Sequence, residues 1–247
     1  MSETWLVIGA SSAIARAFAR VAVAAGDDVI LAGRDAADLA ATAADLAVRG
    51  GRAVPVLDFD LRDTQSHPAL TARAVALAGV APLSVFLAAG LLPTQAAIDA
   101  DPMVADETIA VNFTGAVSAL QALATALAAR GAGRVIALGS VAGDRGRLKN
   151  YVYGAAKAGL ATYLQGLRAR LDRSGVPVTT VKPGFVDTAM TWGLPGLFLV
   201  ASPERVAKAC YAAARAGRDT IYVPWFWRWI MLIIRAVPER IFKKLNI

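Results

Sequence analysis

Short apolar segments alternate with longer, alanine-rich segments along most of the chain, and this alternation restricts the fold more than any other feature. The segments typical of buried strands are residues 4–9, 28–32, 53–58, 83–89, 134–139, 176–182 and 220–223. Those with helical periodicity are residues 12–25, 35–49, 66–78, 103–130, 151–173 and 203–216. Strands separated by helices of this length pair in parallel, as βαβ units. The sequence therefore predicts a single doubly wound α/β domain with a seven-stranded parallel sheet over residues 1–224.

The composition supports a globular chain of this kind. With 247 residues, of which 56% are hydrophobic and 18% charged, the chain is long enough for one domain around a large core. Cys210 is the only cysteine, so no internal disulfide forms, and a buried packing role in a reducing compartment is expected. The first residues run directly into a strand, which leaves no room for a signal peptide. We therefore expect a cytoplasmic protein.

The turn after the first strand reads Gly-Ala-Ser-Ser-Ala-Ile-Ala over residues 9–15 and leads into a helix. Such a turn directs backbone N–H groups and the helix dipole at a pyrophosphate, so it predicts a Rossmann-type dinucleotide site. The residues expected to line this site are Gly9, Ser11, Ser12 and Ile14. Alanine stands at positions 13 and 15 in place of glycine, which is compatible with binding if the backbone there needs no positive φ. An ordinary turn of small residues is the alternative.

Residues at the ends of the second and third strands bear on which dinucleotide binds. Arg34 follows the second strand, where the adenosine ribose lies in folds of this kind. An acid there accepts from the 2′-hydroxyl of NAD, whereas arginine attracts the 2′-phosphate of NADP, so we favour NADP(H), with NAD(H) as the alternative. Asp35 is expected to cap the next helix. Asp60, after the third strand, is placed to accept a hydrogen bond from the adenine amino group.

The strand that ends at Ser140 and the helix that begins near Tyr151 carry the reactive side chains. Tyr153 and Lys157 are four residues apart and share one helix face. A positive charge beside a phenol favours the phenolate, so Lys157 is expected to lower the pKa of Tyr153 and make it an acid or base near neutral pH. Ser140 is expected to hydrogen-bond the same substrate oxygen. A surface tyrosine and lysine on an ordinary helix is the alternative for this pair taken alone.

Together with Asn112 in Val-Asn-Phe-Thr-Gly and with Pro-Gly-Phe-Val-Asp-Thr over residues 183–188, these motifs resemble the short-chain dehydrogenase/reductase family. The resemblance covers residues 4 to about 224. It implies that Tyr153 protonates the substrate carbonyl, that Ser140 holds that oxygen, and that Lys157 binds the nicotinamide ribose. It also implies that Asn112 anchors a water of the proton relay and that the protein is a homo-oligomer. The further cofactor contacts that it implies are Ala89, Gly90, Pro183, Gly184, Val186 and Thr188, the last with the carboxamide.

A narrower resemblance, to decaprenylphosphoryl-2-keto-ribose reductases, is carried by residues 58–60, 66–68, 90–92, 142–147, 150–154 and 237–245. It implies reduction of a keto-sugar on a polyprenyl-phosphate lipid, for which NADH is often the presumed donor. The chain departs from the broader family at the alanines of the first turn and at Leu87-Ala88, where two asparagines are usual. Both departures affect cofactor contacts and leave the reacting residues intact, so we expect an active enzyme.

Two segments are expected to meet the substrate. Arg145 and Arg147 lie on the loop before the reactive tyrosine, and arginine suits bidentate phosphate recognition. Ordinary surface charges are the alternative. Residues 189–200, which include Met190 and Trp192, are apolar and follow the sixth strand, where a substrate lid lies in this fold. An apolar lid fits a hydrophobic substrate, and simple packing of this segment against the domain is the alternative.

Residues 225–247 form a basic, tryptophan-rich tail beyond the expected domain. Six apolar residues separate Arg228 from Arg235, too few to span a bilayer, which takes about 20. Five basic side chains against one acidic give the tail a net charge of +4, out of +7 for the chain. This combination predicts an amphipathic helix on an anionic membrane surface. A tail packed on its own domain or on a second copy is the alternative, and no nucleic-acid partner is expected because no recognition module accompanies the charge.

These features predict NAD(P)H-dependent reduction of a ketone on a lipid-linked or otherwise hydrophobic, anionic substrate. A 3-oxoacyl thioester or a steroid-like ketone is the alternative substrate. A non-catalytic protein that senses the cofactor or scaffolds a membrane is the alternative of a different class. No metal site is predicted, and His67, the only histidine, is expected to be an exposed residue at a helix start.

Overall fold

The computed structural model describes residues 2–193 and 196–245. The strands are β1 (Thr4–Ile8), β2 (Asp28–Gly33), β3 (Val56–Asp58), β4 (Leu83–Leu87), β5 (Val135–Leu138), β6 (Val178–Pro183) and β7 (Thr220–Val223). Within the described residues they form one seven-stranded parallel sheet in the order β3-β2-β1-β4-β5-β6-β7. The strand order reverses between β1 and β4, which makes the sheet doubly wound. The predicted fold class is confirmed.

The helices lie on both faces of the sheet and in the tail. They are α1 (Ala13–Ala24), α2 (Ala36–Gly50), α3 (His67–Ala78), α4 (Gln95–Ala100), α5 (Pro102–Ile109), α6 (Gly115–Arg130), α7 (Tyr151–Asp172), α8 (Pro203–Arg215), α9 (Trp227–Ala236) and α10 (Glu239–Phe242). A π-helical turn (Ala110–Thr114) joins α5 to α6, and 3₁₀ turns cover Thr64–Ser66 and Val141–Asp144. Periodicity did not indicate α4 or the π turn, and β3 is shorter than the predicted residues 53–58.

Successive side chains of the central strand β1 point to opposite faces of the sheet, so the core consists of two layers. Leu6 and Ile8 of β1 pack with α3, α6 and α7, whereas Trp5 and Val7 pack on the opposite face with α1, α2 and α8. The continuous helical stretch Pro102–Arg130 is apolar and long enough to cross a membrane by composition alone. The buried residues of its α6 portion belong to the first core layer, which accounts for that apolar character.

The carboxyl ends of the strands form the edge at which ligands bind in open parallel sheets. Gly9, directly after β1, has φ +78°, and a Cβ at this position would lie 2.6 Å from the backbone nitrogen of Ala89. Only glycine therefore fits where the ends of β1 and β4 approach each other. The Ser140 and Pro183 ends of β5 and β6 continue the same edge.

The tail packs one of its faces against its own domain. Trp227 and Met231 of α9 are fully buried and form a small apolar cluster with Val141, and Phe242 of α10 is also buried. The packed-tail alternative is therefore correct for this face, while the opposite face is exposed. Residue 1, residues 194–195 of the predicted lid and residues 246–247 of the tail lie outside the described residues.

Two sequence expectations concern buried side chains away from the strand edge. Cys210 is fully buried in α8, as predicted, and burial raises the pKa of its thiol. The prediction that His67 is exposed was wrong. His67 is 1% exposed, with Nδ1 2.9 Å from the Ser118 hydroxyl of α6 and its ring against Phe59, and burial lowers its pKa.

Candidate active site

Small residues bring the Ser140 strand end close to the helix that carries Tyr153. Ser140 has extended backbone and precedes the Val141–Asp144 turn, which packs on α7. A Cβ at Gly143 would lie 2.8 Å from the Ala158 nitrogen, and one at Gly154 would lie 2.9 Å from the Ala142 carbonyl oxygen. Larger residues at either glycine would force the turn away from the helix, so these two glycines set the Ser140–Tyr153 approach.

Tyr153 and Lys157 lie one turn apart on the buried face of α7. They are 7% and 3% exposed, and the Lys157 ammonium lies 5.8 Å from the centroid of the Tyr153 ring. Lys157 Nζ donates a hydrogen bond to the Leu138 carbonyl oxygen at 3.0 Å. Burial lowers the pKa of Lys157 to about 8. The lysine is therefore held at the end of β5 as a desolvated cation at neutral pH.

Burial also raises the pKa of Tyr153 to about 12, and the Ser140 hydroxyl and the Arg147 charge only partly oppose this rise. The expectation that Lys157 lowers the pKa of Tyr153 is therefore not met in the free protein. Desolvation outweighs the neighbouring charges because the phenolate loses its hydration in the buried site. Tyr153 is thus a protonated phenol at neutral pH. The Ser140 Oγ accepts a hydrogen bond from the Ala142 nitrogen at 3.0 Å, which leaves its hydroxyl hydrogen to donate.

Asn112 is fully buried in the π turn between α5 and α6. Its Nδ2 donates to the carbonyl oxygens of Leu91 (2.7 Å) and Thr108 (2.9 Å), and its Oδ1 accepts from the Leu91 nitrogen at 3.2 Å. The side chain therefore fixes the segment that follows β4. Its implied role in anchoring a water stays a prediction.

Gly90 lies where several predicted site residues converge. A Cβ at this position would lie 3.2 Å from Asn112 Oδ1, 3.5 Å from Met190 Cε and 3.6 Å from Lys157 Nζ. The structure thus brings Met190 of the predicted lid to the reacting residues. Trp192, also of the predicted lid, is 84% exposed.

The turn after β1 has a backbone conformation that alanine can adopt at positions 13 and 15. Ser12 caps α1, its hydroxyl oxygen accepting a hydrogen bond from the Ala15 nitrogen at 3.2 Å. Ala13 and Ala15 already belong to α1, so neither position needs a positive φ, and Ile14 lies half-buried between them. The replacement of glycine by alanine is therefore compatible with a cradle for phosphate at the start of α1.

Arg34 lies beside this turn. Ser11, Arg34, Asp35 and Ala36 line an open depression, and the Arg34 side chain is 61% exposed. Asp35 caps α2 by accepting from the Asp38 nitrogen at 3.0 Å, as predicted. The carboxylate of Asp60 lies 3.9 Å from Arg34.

Asp60 forms an ion pair with Arg62, a residue that no sequence motif indicated. Arg62 Nη2 lies 2.7 Å from Asp60 Oδ2, and hydrogen bonding by Arg62 lowers the pKa of Asp60. Arg62 also reaches Glu107 at 2.8 Å. The contact of Asp60 with an adenine amino group therefore stays a prediction.

The turn after β6 is packed against the tail. Pro183 ends β6, and a Cβ at Gly184 would overlap the Trp227 indole. Val186 forms an isolated parallel bridge with Ala201, and the Thr188 backbone nitrogen donates to the Thr191 hydroxyl at 3.3 Å. No sequence motif indicates the contact with Trp227, because it joins segments far apart in the chain.

The Arg145 side chain contacts residues of the C-terminal tail. Its Nη2 lies 2.7 Å from Glu239 Oε2, its Nη1 donates to the Arg235 carbonyl oxygen at 3.0 Å, and its guanidinium lies 4.2 Å from the centroid of the Phe242 ring. These contacts disagree with the expectation that Arg145 binds substrate, because they use its charge within the protein. Arg147, half-buried on the same loop, forms no ion pair with a residue of the described chain.

The comparisons with known proteins agree with this arrangement. Residues 3–195 match the family described as short chain dehydrogenase. An uncharacterised oxidoreductase of Mycobacterium tuberculosis is 37% identical over 240 residues, which are 97% of this chain and 96% of that protein. Ketoacyl reductase HetN of a Nostoc species is 29% identical over 233 residues, 90% of this chain and 78% of that protein. The solved structure of a short-chain dehydrogenase from Sphingobium yanoikuyae in complex with NADPH superimposes with a TM-score of 0.81 at 25% identity, over 96% of this chain and 97% of that one.

Proposed function

Because the chain belongs to the short-chain dehydrogenase family, we propose that it uses NADPH to reduce a ketone to an alcohol on a hydrophobic substrate. The observation that carries the proposal is the arrangement of Ser140, Tyr153 and Lys157 at the carboxyl edge of the sheet. A buried phenol that is protonated at neutral pH is the acid that ketone reduction requires. Whatever its substrate, the chain is an oxidoreductase that acts on CH–OH or C=O groups.

Three side chains share the proton chemistry. Tyr153 donates its phenolic proton to the carbonyl oxygen as negative charge develops there, and the Ser140 hydroxyl donates a hydrogen bond to the same oxygen. The Lys157 ammonium, whose pKa of about 8 keeps it charged at neutral pH, stabilises the phenolate that remains. NADPH supplies the hydride when it is bound.

The cofactor preference is proposed from the residues at the end of β2. Arg34 is an exposed cation at the open depression beside the first turn, and its 3.9 Å approach to Asp60 is too long for a tight ion pair. It therefore remains able to receive a 2′-phosphate. Gly9, Ser11 and Ser12 would hold the pyrophosphate at the start of α1. The NADPH bound by the Sphingobium protein supports the same preference.

The substrate is proposed to be hydrophobic because the segment over the site is apolar. Met190 Cε lies close to Gly90, next to Lys157, and Phe198, Leu199 and Val200 of the same segment are exposed apolar residues. The keto-sugar of a polyprenyl-phosphate lipid is our specific candidate, in keeping with the narrower sequence resemblance. A 3-oxoacyl thioester is the second candidate, favoured by the similarity to a ketoacyl reductase.

We also propose that the protein associates with the inner face of the cytoplasmic membrane. Trp229, Leu232 and Ile233 form an exposed apolar face on α9, opposite the buried Trp227 and Met231. Five basic residues and one acidic residue over 225–247 give this region a net charge of +4. An anionic lipid surface satisfies both the apolar face and the charge, whereas a second copy would bring like charges together.

The enzymatic proposal is tested by measuring ketone-dependent NADPH oxidation in the wild type and in a Tyr153 variant. NADPH oxidation is followed with 3-oxoacyl thioesters, steroid ketones and short polyprenyl-phosphoryl keto-sugars. Tyr153→Phe is expected to lower kcat by 10² to 10⁴, a typical contribution of a general acid, and to leave NADPH binding intact. Tyr151→Phe is the matched control, since that exposed tyrosine hydrogen-bonds Asp99. Equal loss in both variants, or none in Tyr153→Phe, contradicts the mechanism, and NADPH binding without turnover of any ketone supports a cofactor-sensing protein instead.

Vesicle sedimentation tests the membrane proposal. Leu232→Ser with Ile233→Ser is expected to abolish binding to vesicles that contain phosphatidylglycerol, with little binding to neutral vesicles before or after the change. Val48→Ser with Val80→Ser is the control, because both valines are exposed elsewhere on the domain. If the tail variant instead changes the oligomeric state in solution and not the vesicle binding, the apolar face belongs to an interface between copies.

A further inference from the structure

The predicted lid contacts the tail through a series of aromatic rings. The centroid of the Phe198 ring lies 5.5 Å from that of Trp227 in α9 and 5.6 Å from that of Phe185. The Phe226 ring lies 6.4 Å from Trp227 and 6.1 Å from Trp225. Both ends of this series are exposed, since Phe198 is 51% and Trp225 is 68% exposed. The two segments therefore share one aromatic surface.

Exposed aliphatic side chains extend this surface on both segments. We call lid–tail surface the exposed apolar side chains of Phe198, Leu199, Val200, Trp225, Leu232 and Ile233. Leu199, which is 50% exposed, has φ +54°, a backbone region that is unfavourable for a bulky residue. An apolar patch that is exposed in this way marks a contact with a partner or a membrane.

The segment that carries Phe198 also borders the reacting residues. A Cβ at Gly90 would lie 3.5 Å from Met190 Cε and 3.6 Å from Lys157 Nζ. The two ends of the segment are joined where Val186 forms a parallel bridge with Ala201. One segment, held at its base, thus supplies a side chain to the reacting residues and exposed side chains to the lid–tail surface.

The basic charge of the tail selects the partner of this surface. Arg228 and Arg235 are exposed on α9, and residues 225–247 carry a net charge of +4. Anionic lipid headgroups balance this charge while the apolar side chains enter the boundary of the acyl chains. A second copy of the chain would place two basic tails together. The charge therefore favours an anionic bilayer over a second copy.

We propose that the lid–tail surface docks on an anionic bilayer as one unit, so that the entrance of the active site faces the lipid and ketones reach Tyr153 from the bilayer. This inference rests on the proposed reductase function and on the proposed membrane association of α9. It adds the segment after β6 as a second membrane contact and specifies the side from which the substrate enters.

Fluorescence quenching by lipids tests the docking without turnover. Cys210 is fully buried and burial raises the pKa of its thiol, so a cysteine introduced at the surface is the one that a thiol reagent labels. Val200→Cys, Ile233→Cys and Val80→Cys are labelled with bimane and bound to NADP⁺. Val80, fully exposed and just before β4, is the control at the opposite edge of the sheet.

Phosphatidylglycerol vesicles with brominated acyl chains are expected to quench the labels at positions 200 and 233 by about half, because an interfacial apolar face lies about 5–10 Å into the headgroup boundary. The label at position 80 is expected to keep its emission. Leu199→Ser with Val200→Ser is expected to weaken partitioning onto these vesicles by about tenfold, since two apolar side chains no longer leave water.

Four outcomes overturn the docking. Quenching at position 233 without quenching at position 200 shows that α9 docks alone, and no quenching at either position removes the bilayer contact. Equal quenching at position 80 indicates general adsorption. Emission at position 200 that depends on protein concentration without vesicles assigns the surface to an interface between copies.

The route of the substrate is tested with 2-undecanone, a ketone that partitions into vesicles. Phosphatidylglycerol vesicles are expected to lower its KM, and Leu199→Ser with Val200→Ser is expected to remove this effect. An equal KM with and without vesicles contradicts entry from the bilayer, even where the labels show docking. If no ketone supports NADPH oxidation, the proposed reductase function fails and entry from the bilayer fails with it, whereas the labels still decide the docking. Turnover of soluble ketones by a protein whose label at position 200 stays in water leaves the function standing and rejects this inference.

Discussion

Replacement of Lys157 by methionine is expected to stabilise the cofactor-free protein at neutral pH or leave its stability unchanged, although it removes a reactive residue. Burial lowers the pKa of this lysine from 10.5 to about 8. A shift of this size corresponds to about 3 kcal/mol of desolvation cost on the charged form. Methionine has no charge to desolvate, but it leaves the Leu138 carbonyl without its 3.0 Å hydrogen bond, a loss of about 1–3 kcal/mol. The net gain at pH 7 is therefore about 0–2 kcal/mol.

The pH dependence of the stability difference between wild type and Lys157→Met is a sharper test than its value at pH 7 alone. The pKa of Lys157 in the folded protein lies below its ordinary value, so between pH 8 and 10.5 the unfolded chain binds more protons. The stability of the wild type therefore rises across this window, and the methionine variant lacks that rise. The advantage of the variant should shrink by about 3 kcal/mol at most as the pH increases through the window.

Urea unfolding of both proteins at pH 7 and at pH 10.5 gives the difference directly, since titrations common to both cancel. Lys149→Met is the control, because it makes the same change at a lysine that is exposed to solvent. A pH-independent difference between wild type and Lys157→Met refutes the argument that the ammonium is desolvated. NADPH-dependent turnover should be lost in the same variant, which would make Lys157 a site where activity is obtained at the expense of stability.

Three further outcomes follow from the structure. Burial raises the pKa of Tyr153 to about 12 and lowers that of Lys157 to about 8, so kcat/KM for ketone reduction should be level from about pH 6 to 7 and fall through about pH 8 as the ammonium is lost; a level profile up to about pH 9 contradicts the role of Lys157. Arg34→Glu should weaken NADPH binding at least tenfold in a fluorescence titration and leave NADH unaffected, and equal loss for both cofactors would remove the 2′-phosphate argument. Glu3→Gln should lower the free energy of unfolding by about 3–5 kcal/mol without altering NADPH affinity, because the buried Glu3 carboxylate pairs with Arg134 and Arg215.

The fold was predictable because its signal is local and repeated. Apolar strands, alanine-rich helices and the cap at Asp35 each follow from residues close together in the chain. The π turn at Ala110–Thr114 was not predictable in this way. A single widened turn hardly alters the apolar pattern of a long helix, yet it is the element that carries the buried Asn112.

The partners of the charged site residues depend on the three-dimensional arrangement, and sequence spacing does not contain them. Arg145 was placed on the right loop, but its pairing with Glu239 joins residues 94 positions apart. His67 is buried because α6 supplies Ser118, 51 positions away. The engagement of Asp60 by Arg62 is local, but it depends on the conformation of the turn after β3. A residue type and a loop can thus be assigned from sequence, whereas the counter-charge that decides the role cannot.

The direction of the Tyr153 pKa shift shows how burial changes the chemical reasoning. Sequence spacing gives the attraction between a phenolate and an ammonium, which favours the charged pair. The structure adds the loss of hydration, which disfavours both charges, raising the pKa of Tyr153 and lowering that of Lys157. The site consequently keeps its proton on the phenol, where ketone reduction needs it. Met231 and Trp227 of the tail pack against Val141, directly after Ser140, and so help to exclude water from this side. The tail therefore packs beside the reactive serine and is not merely a surface extension of the domain.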